Sequence, residues 1–192
     1  MQTWNTKQAF GWVSITLHWI AAIGVLAMIW YGLNAAWTDD NEATRDAHRA
    51  FIGVHISLGM TLIAFAFARV IAHYLQQTPA LPSAEPKPLR TLAHLTHHLL
   101  LLAIVLQFVS GPAMIWAGAR PINVWGVIAL PSPFAVRNHD MHEIADVMHL
   151  IGRWMLFVLI PVHVLAALKH EFVDRDGVLM QMFEPGRPLK KP

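Results

Sequence analysis

The 192-residue chain contains no cysteine, which removes disulfides, iron–sulfur ligation, zinc–thiolate sites and thiol nucleophiles together. Charge is scarce as well: Asp, Glu, Lys and Arg make up 14% of the residues, where an ordinary soluble domain carries about 25%. No long basic run interleaved with aromatics is present, so a net charge of +2 and a pI near 9.2 give no support to nucleic-acid binding. There is no internal repeat, which argues against an inverted-repeat transporter. No cleavable leader is expected, because the first apolar run, about Val13 to Asn34, starts after Lys7, is too long and lacks a small-residue cleavage site.

What the chain has in quantity is apolar residues, 55% of the total, with a mean hydropathy of +0.43. The membrane is the natural solvent for such a sequence. A hydrocarbon core of ~30 Å needs about 20 mostly apolar residues in a helix. Stretches near 13–36, 50–75, 92–117 and 144–168 meet that length. The expected fold is therefore an all-α membrane protein, a four-transmembrane-helix bundle, with residues 1–192 forming a single transmembrane domain.

The connections are polar or Pro-rich: Asp39 to His48, Thr78 to Lys87, and Arg120 to Asp140. The last carries Trp125, Pro131 and Pro133 and is expected to lie along the interface as a partly ordered cover. Asp174 to Phe183 is short and amphipathic and is expected to lie flat at the surface. Trp4, Trp12, Trp19, Trp30, Trp37, Trp116 and Trp125 read mostly as interface anchors.

Placing the N-terminus inside puts Lys7, Arg69, Lys87, Arg90, Lys169, Arg175, Arg187, Lys190 and Lys191 on the inner side, against Arg45, Arg49, Arg120 and Arg137 outside. The positive-inside rule then favours both termini in the cytoplasm.

Twelve histidines are the main source of strong metal ligands, and a histidine within a span is costly unless paired or coordinated. His149 and His163 in the fourth span are fourteen residues apart. At 100° and 1.5 Å per residue, that interval returns them to nearly one face, ~21 Å apart along the axis. His18 lies about one turn into the first span and His55 about one turn into the second. With alternating span direction, His18 is level with His163 near the inner face, and His55 with His149 near the outer face. Two such pairs suit two stacked b-type haems, since histidine is an ordinary axial ligand of haem iron and bundles build cofactor sites from facing side chains.

Gly24, Gly53, Gly59, Gly111 and Gly152 lie within or at the ends of spans, where each admits either a macrocycle or a neighbouring helix. His94, His97 and His98 begin the third span; they read as interfacial or propionate-contacting, with a zinc site as the less favoured alternative. His170, seven residues after His163, reads either as a quinone-headgroup contact able to exchange a proton or as a solvated helix end. Arg153 is the basic residue deep in a span, and a haem propionate or Asp146 is its expected partner. Arg69 and His73 read as propionate or quinone contacts, or as side chains that snorkel to the headgroups. His48 is expected at the interface and His139 and His142 in the outer loop.

These residues resemble the bacterial cytochrome b561 family over nearly the whole chain. The resemblance rests on Ile15-Thr-Leu-His18-Trp19, Gly53-Val-His55-Ile-Ser-Leu-Gly59, Leu92-Ala-His94-Leu-Thr-His97, and His149 followed by His163-Val-Leu-Ala-Ala-Leu-Lys-His170. It implies a four-span, di-haem, quinone-linked cytochrome of the bacterial inner membrane, with haem iron held by His18, His55, His149 and His163 and ubiquinone as electron acceptor. His170 matches a histidine near the family's quinone pocket. One branch oxidises superoxide at the outer face; another, whose tail resembles Ala167-Leu-Lys-His170 and Phe172-Val-Asp-Arg-Asp176, is less well defined and is associated with a periplasmic partner, redox or lipid-binding. A basic residue that the superoxide-oxidising branch has six positions after Arg69 is Leu75 here. In the outer loops Asp39, Asp40, Glu42, Asp46, Asp140, Glu143 and Asp146 outnumber the four arginines, which opposes steering of an anionic donor.

The expected function is transmembrane electron transfer between an outer-face donor and ubiquinone, which makes superoxide:ubiquinone oxidoreductase one candidate activity. The alternatives are a cytochrome b anchor subunit of a larger dehydrogenase or hydrogenase-type complex, an electron-transfer partner of a periplasmic protein, and, from a different class, a proton or metal transporter without haem.

Overall fold

The computed structural model describes residues 2–80 and 86–189. Lys190 and Lys191, counted above on the inner side, lie outside the described residues, as does part of the connection from Thr78 to Lys87. Four long helices account for most of the chain: α1 (Trp12–Trp37), α2 (Arg45–Leu75), α3 (Lys87–Ala117) and α4 (His139–Lys169). All four are long and apolar enough to cross a membrane. Each expected span falls inside one of them, and α2, α3 and α4, at 31 residues, run on beyond it. Such a helix measures about 46 Å at 1.5 Å per residue, longer than the ~30 Å hydrocarbon core, so its ends reach the headgroups.

Side-chain size is distributed in the sense that a lipid solvent selects. Ala35, Ala66, Ala103, Ala117, Ala145, Ser57 and Ser110 are buried, while Ile23, Leu26, Trp30, Val158 and Leu165 stand exposed. Small residues let membrane helices approach closely, and the apolar exterior meets acyl chains rather than water. The chain is an all-α membrane protein of four spanning helices.

The helices contribute to two compact units. The first comprises the described residues of 1–19, 67–104 and 152–192; the second comprises 20–66 and 105–151.

In the first unit the described segments nearest both termini are tied down. Gln76 Oε1 accepts from the Asn5 N–H (3.1 Å) and the Ser14 hydroxyl (3.3 Å). Gly11 packs so tightly on the Thr3 carbonyl that a Cβ there would overlap it, so no other residue fits without moving backbone. The segment from Asp174 to Phe183, expected to lie flat, has defined turns and partners. α4 passes into a π-helical turn at His170–Asp174, the chain reverses at Arg175 (φ 54°), and a 3-10 turn follows at Leu179–Met182. Gln181 is buried and donates to Gln8 O (2.9 Å) and Arg187 O (3.0 Å), and Trp19 Nε1–H donates to Met182 O (2.6 Å). The tail is thus folded onto the N-terminal segment by hydrogen bonds that an isolated amphipathic pattern does not reveal.

In the second unit the connection after α3 is an antiparallel hairpin of β1 (Ile122–Val124) and β2 (Ile128–Leu130), turning through Trp125 and Gly126, both at positive φ. It is latched to α2: Trp125 N–H donates to Ser57 Oγ (2.9 Å) and its indole N–H to Thr61 Oγ1 (3.0 Å), while Ile122 is buried. Trp125 is therefore a fastening, as Trp19 is in the first unit, rather than a lone interface anchor. Asn138 caps α4 by accepting from Met141 N–H (3.0 Å).

Candidate functional site

Each unit brings two of the sequence-predicted histidines together. In the second unit the rings of His55, from α2, and His149, from α4, have centroids 6.4 Å apart. In the first unit His18, from α1, and His163, from α4, stand 6.1 Å apart. Metal–imidazole bonds of about 2 Å on either side of one ion put the two ring centroids roughly 6 Å apart, so both spacings suit a metal clamped between imidazoles.

The surroundings of the second-unit pair are closed. His55 Nδ1 donates to Met28 O on α1 (2.9 Å). His149 Nδ1 meets Ser110 Oγ on α3 at 3.0 Å, and Gln107 Nε2 donates to His149 O (2.9 Å). An imidazole held through Nδ1 keeps its Nε2 lone pair for a metal, the usual arrangement of ligating histidines. Glycine makes the room for the His55 ring. A Cβ on Gly32, one turn after Met28, would crowd His55 at 3.0 Å, and Gly111 lies beside His149, where a Cβ would reach 3.7 Å. Gly24 and Gly59 instead face Leu62 and Met28, so there the missing side chain serves contact between helices, and a Cβ on Gly53 would meet nothing within 4 Å.

The first-unit pair is more crowded. His97 on α3 lies 5.2 Å from His163, ring to ring, and the Arg69 guanidinium is within electrostatic reach of His18, His97 and His163. Of the three histidines that open α3, His97 alone joins the pair. His98 bonds its own helix at His94 O (2.7 Å) and meets His73 edge-on, 5.4 Å away. His170 does not stand free: its Nδ1 lies 2.7 Å from Asp176 Oδ2 and 3.3 Å from Asp174 Oδ2, and Lys169 pairs with Asp174. Asp176 is itself anchored by Val178 N–H on Oδ1 (3.1 Å).

Two buried donors, Arg153 Nε in the first unit and Trp116 Nε1 in the second, have no acceptor among the described residues. Buried N–H groups are seldom left unpaired, and a propionate-bearing macrocycle would supply anionic acceptors. Paired imidazoles at the spacing of axial ligands, a glycine against the His55 ring and orphaned donors together fit haem.

Sequence reasoning did not single out Gly32, Gln107, Ser110 or Trp116 as site residues. Gly32 and Ser110 read as ordinary small residues of their spans, and only the three-dimensional register of the helices makes them partners of a histidine.

Comparison with known proteins agrees. Residues 9–185 match the model of the family described as prokaryotic cytochrome b561. Cytochrome b561 homolog 2 of Escherichia coli K12 is 30% identical over 182 residues, 93% of each chain. The probable superoxide oxidase CybB of Yersinia pestis is 23% identical over 176 residues, 91% of this chain and 96% of its own. Cytochrome b561 homolog 1 of Escherichia coli K12 is 25% identical over 174 residues, 90% and 96% of the two chains. The chain belongs to the prokaryotic cytochrome b561 family and is a multi-pass bacterial membrane protein of electron transfer built to carry b-type haem.

Proposed function

We propose that this protein is a di-haem relay that carries electrons across the inner membrane between a donor at its outer face and ubiquinone, with both termini in the cytoplasm. The observation that carries the reading is the presence of two histidine pairs, His18 with His163 and His55 with His149, at 6.1 and 6.4 Å. One haem for each pair follows, with the second-unit pair at the outer side. Haem, when bound, supplies one-electron transfer.

The chain's own groups take the remaining roles. Met28 O and Ser110 hold the outer histidines by their Nδ1 atoms. Arg153 and Trp116 offer N–H donors to propionates. Arg69 sets a positive charge beside the inner histidines, where it favours an anionic propionate or a reduced centre. His170, oriented by Asp176 and Asp174 at the end of α4, is suited to exchange a proton with a quinone headgroup.

For the donor, the name of the Yersinia relative brings superoxide forward. The seven carboxylates against four arginines in the outer loops oppose an anion, so a cationic or neutral periplasmic partner competes with it.

The test uses the purified protein with its haems in proteoliposomes. Two haems per chain, both reoxidised by added ubiquinone after reduction, are expected; a single haem, or haems that quinone cannot oxidise, would refute the relay. A superoxide pulse in the stopped-flow instrument then decides the donor, fast haem reduction favouring superoxide and none excluding it.

A further inference from the structure

The His55 and His149 rings are both held through Nδ1, but by acceptors of different kinds. Met28 O is a backbone carbonyl and cannot be anything but an acceptor. Ser110 is a hydroxyl and can in principle give or take a proton, so its role depends on where its own hydrogen points. Ser110 is 1% exposed, and its Oγ lies 2.5 Å from Leu106 O, one turn back on α3. That carbonyl can only accept, so the hydroxyl hydrogen is committed to it, the back-bond common for serine in helices. What remains toward His149 is a lone pair, and at 3.0 Å the contact must run from His149 Nδ1–H to Ser110 Oγ. The hydrogen-bonded chain therefore has one direction: His149 to Ser110 to Leu106.

We propose that Ser110 is a positioning residue of the outer haem, which fixes the Nδ1–H tautomer of His149 and strengthens that imidazole as an electron donor to the iron. This rests on the reading that His149 is an axial ligand. A ligating histidine whose second nitrogen donates a hydrogen bond gains basicity, and a more basic ligand stabilises the ferric over the ferrous state. The hydroxyl, polarised by its own bond to Leu106 O, is a better acceptor than an isolated serine. Gln107 completes the seat by donating to the His149 carbonyl, so that α3 grips the residue at backbone and ring. Of the two acceptors in this unit, Met28 O belongs to the backbone. Ser110 is thus where a side-chain change alters the outer haem's potential without changing its ligands.

The experiment is a spectroelectrochemical titration, with low-temperature electron paramagnetic resonance, of the detergent-purified protein carrying its haems, as wild type, Ser110→Ala and Ser110→Thr. In Ser110→Ala the ferric/ferrous equilibrium of one haem is expected to move about tenfold toward ferrous, ~59 mV upward for a one-electron couple. The other haem stays in place, and the low-spin signal of the shifted haem changes. Threonine, which keeps the hydroxyl, restores both readings. Loss of one haem in Ser110→Ala but not in Ser110→Thr also supports the proposal. Unmoved potentials in Ser110→Ala, equal shifts in Ala and Thr variants, or haem loss in both would overturn it. His149→Ala separates the two levels: if it retains both haems the ligand reading is wrong, whereas a lost haem with an inert Ser110→Ala defeats the Ser110 proposal alone.

Discussion

The two units hold histidine pairs at almost the same spacing, yet they surround them differently. Around His55 and His149 the partners are neutral hydrogen-bond acceptors supplied by α1 and α3, and Gly32 leaves room for the His55 ring. Around His18 and His163 there is a third imidazole, His97, and the guanidinium of Arg69, and the same unit carries the His170, Asp174 and Asp176 cluster at its helix end. A ligand that donates a hydrogen bond favours oxidised iron, and a nearby cation favours reduced iron. On the proposed reading, these contacts would set the lower potential at the second-unit pair and the higher at the first-unit pair.

The sharpest way to break this contrast is at the end of α4, where His170, Asp174 and Asp176 of the first unit gather. Asp176→Ala removes the carboxylate that orients His170. Quinone-driven haem oxidation should slow by about tenfold to a hundredfold, the scale of losing a group that orients another, while both haems remain. An unchanged rate would move the quinone away from His170. The glycine seat tests the second unit. Gly32→Ala forces a Cβ against His55 at 3.0 Å, whereas Gly53→Ala meets open space. The first should cost about 1–3 kcal/mol and loosen the outer haem, read as thermal stability and haem retention, and the second should be silent. Arg69→Leu addresses the charge difference directly. Removing a cation at a distance of several ångströms should lower the inner haem's potential by the equivalent of about 1 kcal/mol, and a rise instead would reverse the electrostatic assignment.

Hydropathy and histidine spacing carried much of this architecture because both are local or periodic quantities. A span announces itself through about 20 residues of composition, and each expected span lies within an observed helix. The fourteen-residue interval between His149 and His163 is a property of a single helix, so it too can be read in one dimension. The helix that each histidine leans on is a different matter. Ser110 and Gln107 look like ordinary polar residues of an apolar span, and they become partners of His149 only through the rotation of α3 against α4. Trp19 and Trp125 look like interface anchors by composition, but each spends its indole N–H on a partner remote in sequence, Met182 O and Thr61 Oγ1. His97 could not be separated from His94 and His98 by sequence, because all three sit within little more than one turn; the ring contact with His163 distinguishes it. The π-helical end of α4, which brings His170 to Asp174 and Asp176, likewise follows from backbone geometry that an apolar pattern does not encode.

The pairing itself is read out by the haem content and optical spectra of the four single variants His18→Ala, His163→Ala, His55→Ala and His149→Ala. His18→Ala and His163→Ala are expected to lose the same haem and leave identical residual spectra, and His55→Ala and His149→Ala to lose the other. Matching losses across the pairs, such as His18→Ala with His149→Ala, or two haems retained in any of the four, would contradict it.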